Sequence, residues 1–444
     1  MSLRGALLKN LVFPVADWWQ QFGAQSKFQT LLNAQNWDRS TLIAHRDAKA
    51  RELVQTVYSE VPFYQKIFAD RSLTPKDFQS LSDLTKLPIL TKDAIRENFV
   101  SGRMQRPSKF KTYDVCSSGS TGTNLVVRED TDTTGMLYAC HLYGLKLSGW
   151  NFGDRHVQFG FSMKRTFFKA LKDRALSCEY AFSGILRNEA LDRLLDKIES
   201  QKIKHVHGFP GSIFSLAERA RQTHRSIKLD AVVTWGDNLF EHYRRSIESA
   251  FQTRVFDTYG CAEGITVSAQ CGHGTNYHLY APFVHVEVVD DEGKPVPKGT
   301  LGHLILTRLI PGTTPLIRYR VGDLGVLSPQ EKCACGSSYD IMDSIQGRDT
   351  DLIVTPSGNR LIVHFFTGTL NKFPAIKHFQ VVQKEKDRIL IRWVSEESLT
   401  HSYLDEIRSA LSQRGADISV DFERVEEIPT TKEGKRRFVI SEVQ

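Results

Sequence analysis

Apolar positions recur at helical spacing through Leu53 to Val61, and residues 40 to 100 read as helices interrupted at Pro62, Pro75 and Pro88. From residue 112 the texture changes to apolar strands, glycine punctuation and then helical stretches. His156 to Phe161 reads as a strand. Ile203 to Gly208 precedes a helix from Ser212 to Arg221, and Ala231 to Trp235 precedes one from Glu241 to Phe251. Strand followed by helix, repeated, predicts an α/β layer architecture with a largely parallel sheet. Val284 to Val289, Gly302 to Thr307 and Gly325 to Leu327, joined by turns such as Asp290-Asp291-Glu292-Gly293, read as antiparallel strands.

Gly347-Arg348-Asp349-Thr350 marks a boundary, and the remainder of the chain is the size of a small second domain. There the pattern predicts strands at 352–355, 361–364, 376–383 and 388–394, a helix at 399–414 and a strand at 418–425. The expected fold is therefore α/β. A large multi-layer domain over 1–347 combines mixed sheets and helices with an antiparallel β region, and a small α+β domain covers 348–444. No internal repeat or low-complexity segment interrupts it.

The chain has 444 residues, of which 41% are hydrophobic and 25% charged, enough for a sizeable core and more than one domain. Its formal net charge of +7 arises from 58 basic and 51 acidic residues that are mixed along the sequence. Such mild basicity suits an anionic ligand or surface and does not point to nucleic acid. No apolar run approaches the roughly 20 residues of a membrane-spanning helix, and Arg4 and Lys9 are not followed by a signal-type cleavage site. The expected compartment is the cytoplasm. Leu7 to Phe22 is apolar and aromatic, with Trp18 and Trp19. It is expected to pack on the body of the protein, with peripheral membrane contact as the alternative.

The segment Cys116-Ser117-Ser118-Gly119-Ser120-Thr121-Gly122-Thr123 combines small hydroxyl residues and glycines, leaving backbone N–H groups able to wrap polyphosphate oxygens. It lacks the Gly-Lys-Ser/Thr ending of a Walker loop. Thr258-Tyr259-Gly260-Cys261-Ala262-Glu263 follows the apparent strand Arg254 to Phe256, placing a ring and a carboxylate at a strand end, where α/β sheets bind ligands. Arg318-Tyr319-Arg320-Val321-Gly322-Asp323 brings a carboxylate suited to a ribose diol onto a turn. Pro429-Thr430-Thr431-Lys432-Glu433-Gly434-Lys435 presents a lysine on a glycine turn.

The order and spacing of these segments resemble the adenylate-forming superfamily of acyl-CoA synthetases, adenylation domains and luciferases. Within it they resemble the phenylacetate coenzyme A ligase family and its capsule-biosynthesis relatives, over roughly residues 50 to 444. The resemblance implies that Ser117, Ser118, Gly119, Ser120, Thr121, Gly122 and Thr123 hold the phosphates of ATP, and that Gly236 and Asp237 flank adenine. The family usually has Glu where this chain has Asp237. It further implies that Tyr259 stacks on adenine beside Gly260, that Glu263 binds Mg²⁺ and that Asp323 holds the ribose hydroxyls. Arg348 would contact ribose or phosphate, and Lys435 would reach the substrate carboxylate and the α-phosphate. A carboxylate attacking the α-phosphorus brings like charges together, so a cation and a lysine must neutralise the developing charge. Two positions beyond the motif arginine the family commonly has a charged hinge residue, whereas this chain has Thr350.

Seven cysteines, at 116, 140, 178, 261, 271, 333 and 335, are an odd number at irregular spacings, which argues against a disulfide framework. Cys271, His278, Cys333 and Cys335 nevertheless offer thiolate and imidazole ligands suited to a closed, structural tetrahedral Zn²⁺, with His273 as the alternate ligand. Members of the phenylacetate ligase-like group resemble this pattern, and free cytosolic thiols are the alternative.

The segment His207-Gly208-Phe209-Pro210-Gly211-Ser212 resembles the family stretch lining the acyl pocket, with Phe159, Phe161, Phe209 and Trp235 as an aromatic wall for an aryl or other small organic acid. The same rings could be core. Three functions are compatible with the sequence. The first is an ATP-dependent, AMP-forming ligase that joins the acid to coenzyme A. The second makes the same adenylate but delivers the acyl group to an amine in capsule or O-antigen polysaccharide biosynthesis. The third is a non-catalytic basic binding protein.

Overall fold

The computed structural model describes residues 3–117, 125–160, 166–183, 188–348, 353–357, 360–361, 366, 369–370, 372–373, 375–395, 399–413, 416–429 and 438–443. For Ser117, Phe168, Gly347, Arg348, Val354 and Arg360 it describes the backbone alone.

Helices fill the first hundred residues. Arg39–Glu60 is capped by the Asp38 carboxylate, which accepts from the Thr41 amide at 2.7 Å. Two of the three prolines that break the helical pattern open new helices instead. Pro62 starts Pro62–Asp70 and Pro75 starts the 3₁₀ turn Pro75–Asp77, where a missing N–H leaves no hydrogen bond unmade. Leu42, Leu53, Val54 and Val57 of the long helix enter one core with Leu279, Val284, Leu304 and Tyr319 of the antiparallel strands. Each such side chain contributes about 1.5–3 kcal/mol on leaving water.

Two strands, β1 (Thr112–Ser117) and β2 (Leu125–Asp130), form an antiparallel hairpin that runs from Thr112↔Asp130 to Ser117↔Leu125. The serine- and glycine-rich segment therefore springs from the tip of a hairpin. Among the described residues the main sheet has eleven strands. Five of them, β3 (His156–Gly160), β4 (Cys178–Phe182), β5 (His205–Gly208), β6 (Ala231–Thr234) and the start of β7 (Val255–Cys261), run parallel in the order β4-β3-β5-β6-β7. Helices Pro210–Gln222 and Glu241–Phe251 cover this part. Ile213, Leu216, Ala217, Ile247 and Phe251 pack on Val206 and Val232, as the helical spacing of their apolar residues requires.

At β7 the sheet changes character. Val255 and Phe256 pair in parallel with Val232 and Val233, whereas Thr258 to Cys261 pair antiparallel with β8 (Ile265–Gln270). The sheet continues antiparallel through β9 (Tyr277–Leu279), then β10 (Val284–Val289), β11 (Leu301–Arg308), β12 (Tyr319–Leu327) and β13 (Ile341–Arg348), in the order β8-β9-β13-β12-β11-β10.

The C-terminal residues form β14 (Ile353–Val354), β15 (Arg360–Leu361), β16 (His378–Glu385), β17 (Arg388–Val394), the helix His401–Gln413, β18 (Ser419–Arg424) and β19 (Val439–Ser441). A four-stranded mixed sheet runs β18-β17-β16-β19. The expected elements are present within a few residues, and β19 is added to them. Of the first two strands two residues each are described, and 352 and 362–364 lie outside the described residues. This sheet shares its core with the parallel layer, and the rings of Phe438 and Phe240 meet edge to face at 4.4 Å. β13 extends through Arg348, so the expected boundary begins inside a strand. Among the described residues, no helix is long and apolar enough to cross a membrane.

Candidate functional site

The change of pairing in β7 places Tyr259 and Glu263 beside β12. The Tyr259 hydroxyl donates to Asp323 Oδ2 at 2.6 Å, and the Tyr319 hydroxyl donates to Glu263 Oε1 at 2.8 Å. Burial, with Asp323 adjacent, pushes the Tyr259 phenol well up, so it remains a neutral donor. Cys261 is held as a thiol by burial and then by Glu263 beside it. Arg348 pairs in register with Asp323 across β13 and β12, so these two predicted site residues lie side by side on the backbone.

The bulge between Tyr259 and Gly260 leaves no room for a side chain. A Cβ at Gly260 would lie 2.8 Å from the Ile265 carbonyl oxygen. Gly264 follows with φ +82°, and a Cβ there would meet Glu129 Oε1 at 2.9 Å and Arg308 Nη1 at 3.1 Å. Those two residues are a buttress that the motif reading missed. Arg308 Nη1 donates to both Glu129 oxygens at 2.8 Å and to the Gly264 carbonyl at 3.2 Å, while Nη2 donates to the Thr314 carbonyl at 2.8 Å. Glu129 sits at the foot of the β1–β2 hairpin. The pair thus ties that hairpin to the turn that carries Glu263. The available signal was a lone arginine ending the apolar run Leu304 to Thr307.

Beneath Tyr259, Asp257 accepts from the Thr234 hydroxyl at 2.5 Å and the Tyr277 hydroxyl at 2.6 Å, and burial pushes its carboxyl up to about 6. The Thr258 hydroxyl donates to the Thr234 carbonyl at 2.9 Å, which seats the turn Trp235-Gly236-Asp237 beside β7. Gly236 has φ +77°, and a Cβ there would meet the Phe209 ring at 2.8 Å. The Trp235 amide donates to the Gly208 carbonyl at 3.1 Å. Asp237 is exposed and its carboxylate accepts from the Asn238 amide at 2.9 Å.

The rings of the expected aromatic wall differ in exposure. Phe159 is a core residue, 1% exposed, against which a Cβ at Gly208 would press at 2.5 Å. Phe209 and Trp235 are half-buried. His207 is buried and stacked on His156 at 5.0 Å, with Trp150 and Trp235 at its edges. Burial, then the neighbouring His156, holds it neutral. Ser118, Gly119, Ser120, Thr121, Gly122, Thr123, Phe161, Thr350 and Lys435 lie outside the described residues, and Ser117 and Arg348 enter through their backbones alone.

The cysteine and histidine cluster assembles from three loops and strands. One potential ligand atom from each of Cys271, His278, Cys333 and Cys335 lies within 4.8 Å of all the others. Cys271 Sγ and Cys333 Sγ are 3.6 Å apart, and Cys335 Sγ is 3.7 Å from His278 Nε2. A tetrahedral zinc with sulfur at about 2.3 Å would set its ligand atoms about 3.8 Å apart, so this set fits that ion. His273 is outside the four. Its amide instead donates to Cys271 Sγ at 3.4 Å. Arg254, which the motif reading also missed, fixes this loop by donating to the carbonyls of Gly272 and Gly274 at 2.6 and 2.5 Å.

Residues 353–442 match the CapK C-terminal domain. The chain is 25% identical to a phenylacetate-coenzyme A ligase of Thermus thermophilus over 357 residues, covering 78% of this chain and 79% of the relative. It is 22% identical to the protein CapK of Staphylococcus aureus over 415 residues, covering 90% and 89%. Its fold matches that of a 2-hydroxyisobutyryl-CoA ligase solved in the postadenylation state, with a TM-score of 0.75, 20% identity and coverage of 92% of this chain and 91% of that one. The chain is a homologue of the phenylacetate-coenzyme A ligases and of CapK, built on the fold of the adenylate-forming ligases.

Proposed function

We propose that the chain is an ATP-dependent, AMP-forming ligase that activates a small organic carboxylic acid as its acyl-adenylate and transfers the acyl group to coenzyme A. A carboxylate oxygen of the acid attacks the α-phosphorus, and pyrophosphate leaves with the electron pair of the broken P–O bond. The thiolate of coenzyme A then attacks the acyl carbon and AMP leaves. The observation that carries the reading is the bond from Tyr259 to Asp323, with Arg348 in register beside it. One bond sets a ring that can cover adenine next to a carboxylate that can accept from a ribose diol.

In this reading Gly236 and Asp237 flank the base, and the 117–123 segment at the hairpin tip cradles the phosphates. Glu263 is a single carboxylate, which suits Mg²⁺ held mainly by substrate phosphates. That ion would neutralise charge on the pyrophosphate. Lys435 would approach from the small domain, and a division into 1–347 and 348–444 would put it on a body able to move relative to the rest. Phe209, Trp235 and the neutral His207 would face an acid of modest size. Cys271, His278, Cys333 and Cys335 would hold a structural zinc with no open position. The cytoplasm, where ATP and coenzyme A are both plentiful, is the compartment that fits.

A second reading rests on the CapK likeness, which includes the C-terminal domain match. It keeps the adenylate and replaces coenzyme A by an amine acceptor in polysaccharide assembly. The test is pyrophosphate release over a panel of carboxylic acids, with and without coenzyme A. Release that depends on the acid, with coenzyme A consumed, is the expected result. Acid-dependent release without consumption of coenzyme A would favour the amine. No release with any acid would remove both.

A further inference from the structure

From Leu3 to Gln20 the backbone is helical throughout, as Leu3–Leu7, the π-helical turn Leu8–Val12 and Phe13–Gln20. One face of this run is fastened to the protein. Arg4 Nη2 donates to the Arg174 and Ala175 carbonyls at 2.6 and 3.0 Å. The Phe13 ring lies 5.4 Å from that of Phe152, and the buried Asp17 accepts from the Ala24 and Gln25 amides at 2.8 and 3.1 Å. The opposite face carries Leu3, Leu7, Leu11, Val15, Trp18 and Trp19, all exposed, the two indoles to 77% and 75%. Their spacing of three to four residues makes one continuous apolar stripe.

The helix Phe167–Ala175 lies alongside, held by the Arg4 bonds, and it also exposes apolar side chains, Phe167 and Leu171. Charge is sorted just as sharply. On these two segments the exposed charged residues are Arg4, Lys9, Lys169, Lys172 and Arg174, and the two carboxylates, Asp17 and Asp173, are both buried. An open cavity of about 890 Å³ beside Trp18 and Trp19 has Lys109 and the Lys27–Asp132 pair on its walls.

We propose that the segments 3–20 and 167–175 together form a surface that docks on an anionic lipid bilayer. The apolar stripe and the two indoles enter the boundary between headgroups and acyl chains, and Lys9, Lys169, Lys172 and Arg174 face lipid phosphates. A second copy of the chain fits this face poorly. Two-fold pairing through the same patch would set those cations against their own equivalents. With no helix suited to crossing the membrane among the described residues, the stripe lies in the plane of the interface. The inference goes beyond ligase activity and places the protein at a membrane surface.

The test is co-sedimentation of the full chain with vesicles of phosphatidylcholine containing phosphatidylglycerol, and with vesicles of phosphatidylcholine alone. Binding to the anionic vesicles is the expected result. Trp18→Ser with Trp19→Ser should weaken it about tenfold, and Lys169→Glu with Lys172→Glu should abolish the preference for anionic lipid, with melting temperature unchanged in both. Protein left in the supernatant with both vesicle types would overturn the proposal. Undiminished binding by the tryptophan variant would do the same. Loss of a dimer in that variant, with no vesicle binding by the parent, would assign the face to a second copy instead.

Discussion

Arg308 and Glu129 face each other across 179 residues of sequence with side chains 0% and 1% exposed, and the arginine reaches both carboxylate oxygens. Burial pushes the Glu129 carboxyl up, and the guanidinium opposes that push. Arg308→Met should therefore destabilise the fold by about 3–5 kcal/mol, because it strands a carboxylate and frees the Gly264 and Thr314 carbonyls. The double variant with Glu129→Gln should recover much of the loss. Chemical denaturation of the single and double variants checks this, and equal instability of the two would mean that packing, and not charge, dominates.

The bond between Tyr259 and Asp323 should be visible in nucleotide affinity. Tyr259→Phe keeps the ring and removes the donor, and should raise the KM for ATP about fivefold, on the order of 1 kcal/mol. Asp323→Ala should raise it further. Pyrophosphate exchange measures both, and unchanged KM values with lowered melting temperatures would reduce the pair to a structural brace.

Asp257 gives the fold a pH dependence of known sign. Its folded-state value of about 6 lies above the ordinary carboxyl value of 3.8. The folded protein therefore holds this proton more tightly than the unfolded chain, and the contribution falls as pH rises from about 4 to 6, by about 3 kcal/mol in all. Asp257→Asn should remove that fall. The stability difference, variant minus parent, should grow more favourable to the variant between pH 4.5 and pH 7, and a difference independent of pH would contradict it.

Purified protein should carry about one zinc per chain, and Cys333→Ser or Cys335→Ser should lower both zinc content and melting temperature, because a closed site contributes folding energy. Elemental analysis with thermal unfolding decides. Metal-free protein whose serine variants melt unchanged would leave three free thiols and one imidazole.

For the small domain, Lys435→Ala should slow adenylate formation by about a hundredfold, on the order of 3 kcal/mol. Thr350→Pro should leave that step intact and block acyl transfer, since proline fixes φ and restricts Asp349 before it. The two half-reactions are assayed separately. Equal loss of both steps in the proline variant would point to a damaged interface instead of a trapped orientation.

The sequence displays features that are local. Glycine after an apolar run marked β5, β6 and β7, and Cys333-Ala334-Cys335 announced its cluster because two thiols two residues apart have few structural uses. Contacts that join distant positions left little trace. Glu129 and Arg308 look like ordinary charges until folding buries them together, and Arg254 becomes a clasp only when the loop at Gly272 comes within reach. Phe159 and Phe209 belong to the same residue type near glycines, yet one is core and the other is half-buried, because Gly208 leaves its missing side-chain volume to Phe159. The strand Val439–Ser441 is only three residues long and takes its place from pairing with Val381 to Gln383.

β7 belongs to two hydrogen-bonding regimes, and this governs how the protein can be cut or assembled. A polypeptide ending before Val255 leaves β6 as an edge with its backbone groups unpaired, an open template for other chains. A fragment beginning after Cys261 leaves β8 in the same condition. Neither half is safe in water until one strand of seven residues closes both, and the side chains of Tyr259 and Glu263 acquire a fixed position only at that closure. During synthesis the parallel layer therefore emerges with its edge exposed, and interruption there is the point at which this chain is most prone to aggregate.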